Sequence, residues 1–587
     1  MQVHPKVDVV TMGAGWTANI LAWKLTAAGL QVVSIDQGPA RFGYPEFSHD
    51  HDSIGYAVRK KMMIDITKET WTWRPQPTAS ALPMRQYGSF HPGRGVGGSA
   101  AHWSGMLWRF LPTDFRYRTH TIERYGEDKL PEGSRIRDWP VTYAELEPYY
   151  DRFEYDIGAS GKAGNVRGNI IPGGNVFEGP RERDYPTPPL VTTVAADMFG
   201  TAAEELGYHP FVQPSGILSE AYRDRFGNIR SGCLYCGFCT RFGCEVDAKA
   251  TGITTHAPAA LKTGRYEIRA DSHVIGVELA DNGLATGLRY VDCDGVEHFQ
   301  PADIVLLTGY TLGNVKTMLT SRGPKHPDGI GNNRGLVGTN YTYQLWETPV
   351  TGLFKDRDLH LYMGNTSTIK VIYDFNADNF DHSDVPFVGG ASLFGGSGER
   401  QPITTVGDVP LTASAGSWGA EYARQFVEGW DSFTDVTMQG ESLPYDDQFM
   451  DLDPHYKDAW GNPLLRLTFD WHENDQKLYH FVAGKAKEIM DKMGPDLVSY
   501  TPVLAPYRID VYQSTHITGG AIMGSDPGDS VTNSYGQVWD TPNVFVTGAA
   551  LYPQNPGANP TGTLCALAYR TGDALTERYL KAPGTLL

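Results

Sequence analysis

Four of the six cysteines fall within twelve residues: Cys233, Cys236, Cys239 and Cys244, in the spacing C-x2-C-x2-C-x4-C. Thiolates packed this densely suit a soft metal. Zinc ribbons set two C-x2-C knuckles ~12–20 residues apart, and that gap is missing here. The nearest pattern is the bacterial ferredoxin run C-x2-C-x2-C-x3-C-P. This segment departs from it by one extra residue and by Glu245 in place of proline. The expectation is an iron–sulfur cluster, with zinc or two local disulfides as alternatives. Cys293 and Cys565 stand alone and read as core residues.

A second stretch carries a different chemistry. Gly13-Ala14-Gly15-Trp16-Thr17-Ala18 follows an apolar β-branched run and opens a helical pattern. Gly13 permits a tight turn, Gly15 lets the backbone approach a pyrophosphate, and the small Ala18 lets helix and strand pack closely. The free N–H groups at the helix start would meet the phosphates. Asp36, at the end of the next strand, would accept from a ribose hydroxyl. The strand, turn, helix, strand and acid together form a dinucleotide-binding unit. A third stretch, Gly93-Arg94-Gly95-Val96-Gly97-Gly98-Ser99-Ala100-Ala101-His102-Trp103, gives a backbone able to lie flat against a planar or anionic ligand.

The elements that must position these residues follow from periodicity. Strands are predicted over Val7–Met12 and Val32–Ile35. The helix between them shows Ile20, Leu21, Trp23, Ala27 and Ala28 on one face and ends at Gly29. A helix is predicted over Tyr143–Ile157. Strands are predicted over 266–277, 287–291 and 303–307, with turns at Asn282-Gly283 and Asp294-Gly295, and a helix over 311–320. From about 344 the pattern changes. Alternation at Leu361 and Met363, and at Ile369, Val371 and Tyr373, suggests antiparallel strands ahead of a long helix over 475–493. Cofactor motifs near 13, 95, 309 and 548 therefore bracket a different middle. The expected fold class is α/β, with an α+β second part. It has a discontinuous Rossmann-like domain over 1–343, which includes the cysteine insert at 233–244. A substrate domain built on an antiparallel sheet covers 344–510, and 511–587 returns to the first domain.

Bulk properties bound the function. The 587 residues, 41% hydrophobic and 20% charged, fit a folded protein of at least two domains. The 66 glycines exceed the usual ~7% share, in keeping with tight turns and close backbone–ligand contacts. A net charge of −18 argues against a nucleic-acid partner, which needs Lys and Arg for its phosphates. No run of 18 apolar residues suggests a membrane span. With no charged-then-apolar leader, the residues alone point to the cytoplasm.

The motifs in order resemble the glucose–methanol–choline (GMC) family of FAD oxidoreductases. The matching pieces are Gly13-Ala14-Gly15, Gly95-Val96-Gly97-Gly98-Ser99, Ile304-Val305-Leu306-Leu307-Thr308-Gly309 and the tail from Val544 to Arg570. Within the family, the cysteine segment and the run His102-Trp103…Trp108-Arg109-Phe110-Leu111-Pro112 look most like membrane-bound bacterial dehydrogenases of sugars and sugar acids. The resemblance implies FAD, held by Gly13, Gly15, Ala18, Asp36, Arg94, Gly95, Gly97, Gly98, Ser99, His102, Val274, Gly309, Gly548, Ala549, Pro560 and Thr561. It implies a catalytic pair, His516 in Thr515-His516-Ile517-Thr518-Gly519-Gly520 and Asn559 in Gly557-Ala558-Asn559-Pro560-Thr561. An imidazole can take a hydroxyl proton as hydride leaves the same carbon, and an amide can orient the hydroxyl.

The resemblance also implies a histidyl–FAD bond at His102, from the context Gly97-Gly98-Ser99-Ala100-Ala101-His102-Trp103. It makes the cluster 3Fe–4S, needing three of the four thiolates. A one-electron relay beside a two-electron flavin would feed a haem acceptor. The implied reaction is D-gluconate to 2-ketogluconate, with fructose, glucose, sorbitol or 2-ketogluconate as other substrates. The implied partners are a small subunit with a twin-arginine export signal and a membrane-attached multihaem cytochrome c, placing the chain at the periplasmic face. The rival readings are a sugar oxidase releasing hydrogen peroxide and a non-catalytic electron-transfer subunit. Arg109 and Lys370 are candidate anchors for a substrate carboxylate.

Overall fold

The computed structural model describes residues 1–41, 46–47, 52–512 and 514–586. The apolar runs at the chain start form strands Val7–Met12 and Val32–Ile35, joined by helix Trp16–Ala27. They pair in parallel, and Tyr266–Arg269 extends the sheet beyond Val32–Ile35. On the other side Val7–Met12 pairs in parallel with Glu297–Leu307, which in turn takes Val544–Val546. Parallel strands covered on both faces must be apolar throughout, and Val9, Val10, Val305, Leu306, Leu307 and Phe545 are fully buried. The first half of Glu297–Leu307 runs antiparallel to Ala285–Val291, and that strand to His273–Leu279. One strand thus ties a dinucleotide-type parallel sheet to an antiparallel extension. The predicted strand over 266–277 is two strands, broken by Asp271 in a left-handed conformation. Cys293, expected in the core, is exposed beside the turn at Asp294-Gly295.

The second sheet is antiparallel, in the order Leu497–Tyr500, Leu345–Leu353, Phe433–Gly440, Ala391–Gly395, Lys370–Ile372, Phe211–Val212. Helix Glu473–Met493 packs on one face of it and helix Val194–Glu205 packs beside that helix. The segment 344–510 is not self-contained, because Phe211–Val212 closes the edge of its sheet. Trp71–Arg74 likewise pairs in parallel with Pro463–Thr468 in a further four-stranded sheet. Leu361 and Met363 lie in turns, and only Lys370–Ile372 of the alternating stretch after them is a strand. The open face of the second sheet looks across a cavity at the loops of the first.

Candidate active site

Four short motifs meet at one end of the parallel sheet, where a crevice outside the strand ends is the usual ligand site. Gly13 has φ +96°, and a Cβ there would lie 3.3 Å from the Thr308 carbonyl oxygen. Gly97 (φ +99°) donates its N–H to the Ala14 carbonyl at 2.8 Å, which lays the second glycine-rich loop on the first. The Thr308 hydroxyl donates to the Met12 carbonyl, and Asn314 joins the Gly309 N–H to the Thr547 carbonyl. The resulting cavity of about 850 Å³ is lined by Gly13, Gly15, Asp36, Gly97, Gly98, Ser99, His102, Val274, Gly309, Gly548, Ala549, Pro560 and Thr561. Ala18 is fully buried behind its helix. Arg94 and Gly95 support the loop from outside the lining, Arg94 through its Nε and the Gln37 carbonyl at 3.4 Å. Asp36 accepts from the Ala14 and Gly38 N–H groups at 2.9 and 3.0 Å. Burial pushes its carboxyl up, against those bonds. The carboxylate therefore also fixes the turn, with its remaining lone pairs toward the cavity.

His516 and Asn559 stand together at the far end. Asn559 Nδ2 lies 3.1 Å from His516 Nε2. A two-stranded ribbon pairs Thr342 with Thr518 and Tyr343 with Ile517, which brings Gln344 beside His516. Gln344 Oε1 bonds His516 Nδ1. The Gln344 amide nitrogen is committed to the Pro556 and Ala558 carbonyls at 2.8 and 3.0 Å, so its oxygen faces the ring and Nδ1 carries the hydrogen. Gln439 Nε2 donates to the same oxygen at 2.9 Å. On the other side, Trp108 Nε1 donates to Asn559 Oδ1 at 2.8 Å, turning the Asn559 amide nitrogen toward the ring. His516 is open to the cavity and enclosed by protein elsewhere. That enclosure lowers its pKa to about 3 and keeps it neutral, with Nε2 the unprotonated nitrogen, accepting from Asn559 Nδ2. Trp108 and Gln344 set the pair's orientation without being expected from sequence. The one signal for Gln344 is a polar residue inside an apolar, β-forming run.

His102 lines the same cavity with its Nε2 buried and lacking a hydrogen-bond partner. Burial lowers its pKa to about 3, helped by the nearby Lys249 charge. Its carbonyl accepts from the Arg241 N–H at 2.8 Å, which ties the His102 loop to the cysteine loop. Arg109 is locked to Glu154 and Glu147 and lies outside the cavity lining, and Lys370 pairs with Asp197. Neither anchors a substrate carboxylate in this cavity.

The four cysteines line one small cavity of about 30 Å³, with Ile217, Phe238, Phe242 and Ala248 as apolar walls. None of the four is paired in a disulfide. Among the described residues, no three of these sulfurs come within 4.8 Å of one another. Sulfurs bound to one tetrahedral zinc at ~2.3 Å would be about 3.8 Å apart, so this arrangement does not fit zinc. Cys233 Sγ accepts from the Tyr235 N–H and from Asn365 Nδ2 at 3.3 and 3.5 Å, and Cys244 Sγ from the Lys249 N–H at 3.5 Å. The Lys249 ammonium is 1% exposed and donates to the Trp103, Cys239 and Phe242 carbonyls, none of them an anion. Burial pushes the Cys233, Cys236 and Cys239 thiols up. Thiolate here therefore requires a bound cation, and the buried Glu399 carboxylate, accepting from the Cys239 and Thr240 N–H groups at 2.8 and 2.9 Å, is an anion the Lys249 charge already acts on.

The GMC oxidoreductase family matches residues 444–568, which hold both His516 and Asn559. Over 99% of its length the chain is 38% identical to a gluconate 2-dehydrogenase flavoprotein of Pantoea cypripedii, covering 95% of that protein. This chain belongs to the GMC oxidoreductase family. It is thereby an FAD-dependent oxidoreductase acting on CH–OH groups. It is also 29% identical to a 2-methyl-1,2-propanediol dehydrogenase of Mycolicibacterium austroafricanum, over 98% of this chain and 96% of that one. Among solved structures, a pyridoxine 4-oxidase from Mesorbium loti shares the fold. Its TM-score is 0.58 at 14% identity, covering 97% of this chain and 99% of that chain.

Proposed function

We infer that the protein is an FAD-dependent dehydrogenase of a sugar acid, sugar or polyol, with D-gluconate to 2-ketogluconate as the favoured reaction. The observation that carries it is the neutral His516–Asn559 pair, held from both sides at the end of a dinucleotide-shaped cavity. The two relatives are dehydrogenases of a polyhydroxy acid and of a diol, which supports the substrate class. Bound FAD supplies a two-electron hydride acceptor. The chain's own residues do the rest. His516 Nε2 takes the proton of the reacting hydroxyl, while Asn559 Nδ2 donates to its oxygen. Trp108 and Gln344 keep both groups in that orientation.

Cys233, Cys236, Cys239 and Cys244 would hold an iron–sulfur cluster, with 3Fe–4S favoured, able to carry single electrons. The shared apolar cavity and the N–H groups aimed at two of the sulfurs support this. His102, with its unpaired Nε2, is the residue for a covalent flavin bond. The partners proposed are an exported small subunit and a membrane-attached multihaem cytochrome c, at the periplasmic face. No helix of the described residues is long and apolar enough to cross a membrane.

The test is anaerobic mixing of the flavoprotein with gluconate, 2-ketogluconate, fructose, sorbitol and glucose, following loss of flavin absorbance. One of them should bleach the flavin rapidly. His516→Ala should slow that bleaching by about 10²–10⁴ with flavin content unchanged. Near-full activity in that variant, or no bleaching by any of the five, overturns the reading. Iron and acid-labile sulfide assays test the cluster, which Cys239→Ala should diminish. Iron-free purified protein would remove it.

A further inference from the structure

We propose that one face of strand Phe433–Gly440 is a carbohydrate-binding track leading away from His516, and that Asp435 on it accepts hydrogen bonds from substrate hydroxyls remote from the reacting carbon. The proposal rests on the dehydrogenase reading of His516 and specifies what that site recognises. Side chains alternate along a strand. Val436 and Met438 are fully buried, and helix Glu473–Met493 covers that side of the sheet. Asp435, Thr437 and Gln439 therefore lie on the opposite face. Gln439 is the one that bonds Gln344 behind His516. Asp435 is four residues up the strand, about 13 Å at ~3.3 Å per residue. The neighbouring strand matches it. Trp346 is in register with Gln439, and Thr351 with Asp435. The Trp346 ring centroid is 6.2 Å from that of His516.

Trp346, Phe433, Asp435 and Arg400 all line the cavity. Arg400 bonds Asp435 Oδ2 and stacks its guanidinium over Phe433 at 4.7 Å. The guanidinium is thus fixed and its charge already matched, while Asp435 Oδ1 has no protein donor among the described residues. A carboxylate with an open oxygen, a pinned guanidinium and the half-buried Trp346 ring suit vicinal hydroxyls and the apolar face of a carbon chain. The charge balance of the track favours hydroxyls over a second carboxylate. A small alcohol would react at His516 without reaching Asp435. A six-carbon sugar acid or polyol carries hydroxyls further along the track toward Asp435.

The test is stopped-flow anaerobic flavin reduction of the holoenzyme with D-gluconate, D-fructose and 1,2-propanediol. In Asp435→Asn the apparent Kd for the six-carbon substrate that reduces the wild type best should rise at least tenfold. The limiting reduction rate should stay within twofold, and any reduction by 1,2-propanediol should be unchanged. An unchanged Kd, or a fall in the limiting rate with Kd unchanged, overturns the track. If Asp435→Asn loses flavin, Asp435→Ser, read by the same rise in Kd at an unchanged limiting rate, supplies the same test. Wild-type protein bleached by no hydroxyl compound would instead indict the dehydrogenase reading.

Discussion

His516 is useful because of what has been removed from its surroundings. Protein encloses it on every side but the cavity, so its charged form is disfavoured and its pKa falls from 6.5 to about 3. The ring is then neutral across the physiological range, with Nδ1–H given to Gln344 and Nε2 facing the Asn559 amide. An exposed histidine would lose half its base form at pH 6.5. The acid limb of kcat/KM for the reductive half-reaction should therefore lie well below pH 6.5, toward 3, leaving a flat profile from pH 8 to about 5. A limb at 6.5 or above would show that the base is not this enclosed imidazole. The same shift links to stability. The unfolded chain binds a proton at His516 below pH 6.5 and the folded one does not until about 3. That contribution to stability is whole above 6.5 and is lost as the pH falls toward 3.

At the level of elements, helix Tyr310–Thr320 does more than close a sheet. Its first turn frames the cavity through Gly309, and one turn later Lys316 reaches Glu69 and Asp458 at 2.5 and 2.6 Å. Glu69, His273 and Asp458 are close enough for a metal ion, but the Lys316 ammonium already bridges both carboxylates. Burial pushes Glu69 up, yet Lys316 and His273 hold it below its usual value. Lys316→Met should strand two carboxylates in a buried site and cost about 3–5 kcal/mol, read as a lowered denaturation midpoint at pH 7. The cost should shrink in acid, where protonation relieves the unpaired charges. A midpoint equal to wild type would mean that the cluster holds nothing together. The long, strongly periodic elements were legible from sequence, since Val7–Met12, Val32–Ile35 and Tyr143–Ile157 each carry their own local signal. Lys316 was not legible. Its two partners come from two distant segments, and a lysine on a helix carries no mark of what it will meet. Trp108, Gln344 and the Asp435 track were hidden for the same reason, because only pairing of remote strands brings them to the histidine.

For the whole molecule, the cofactor cavity is also the seam of the chain. Its lining is drawn from residues 13, 97, 274, 309, 548 and 560, segments separated by hundreds of positions yet gathered on one rim. A ligand filling that rim touches the folded state everywhere and the unfolded state nowhere, so its binding energy becomes folding energy. His102→Ala should make the flavin removable by dialysis if the covalent bond exists in the parent. Melting of that variant should then depend on added FAD. At free flavin about a thousand times its dissociation constant, the stabilisation is ~4 kcal/mol, seen as a rise of several degrees in Tm by calorimetry. In the parent protein, acid precipitation should carry the yellow colour into the pellet. Colour left in the supernatant denies the covalent bond, and a variant Tm indifferent to FAD denies that the flavin is the keystone between the two sheets.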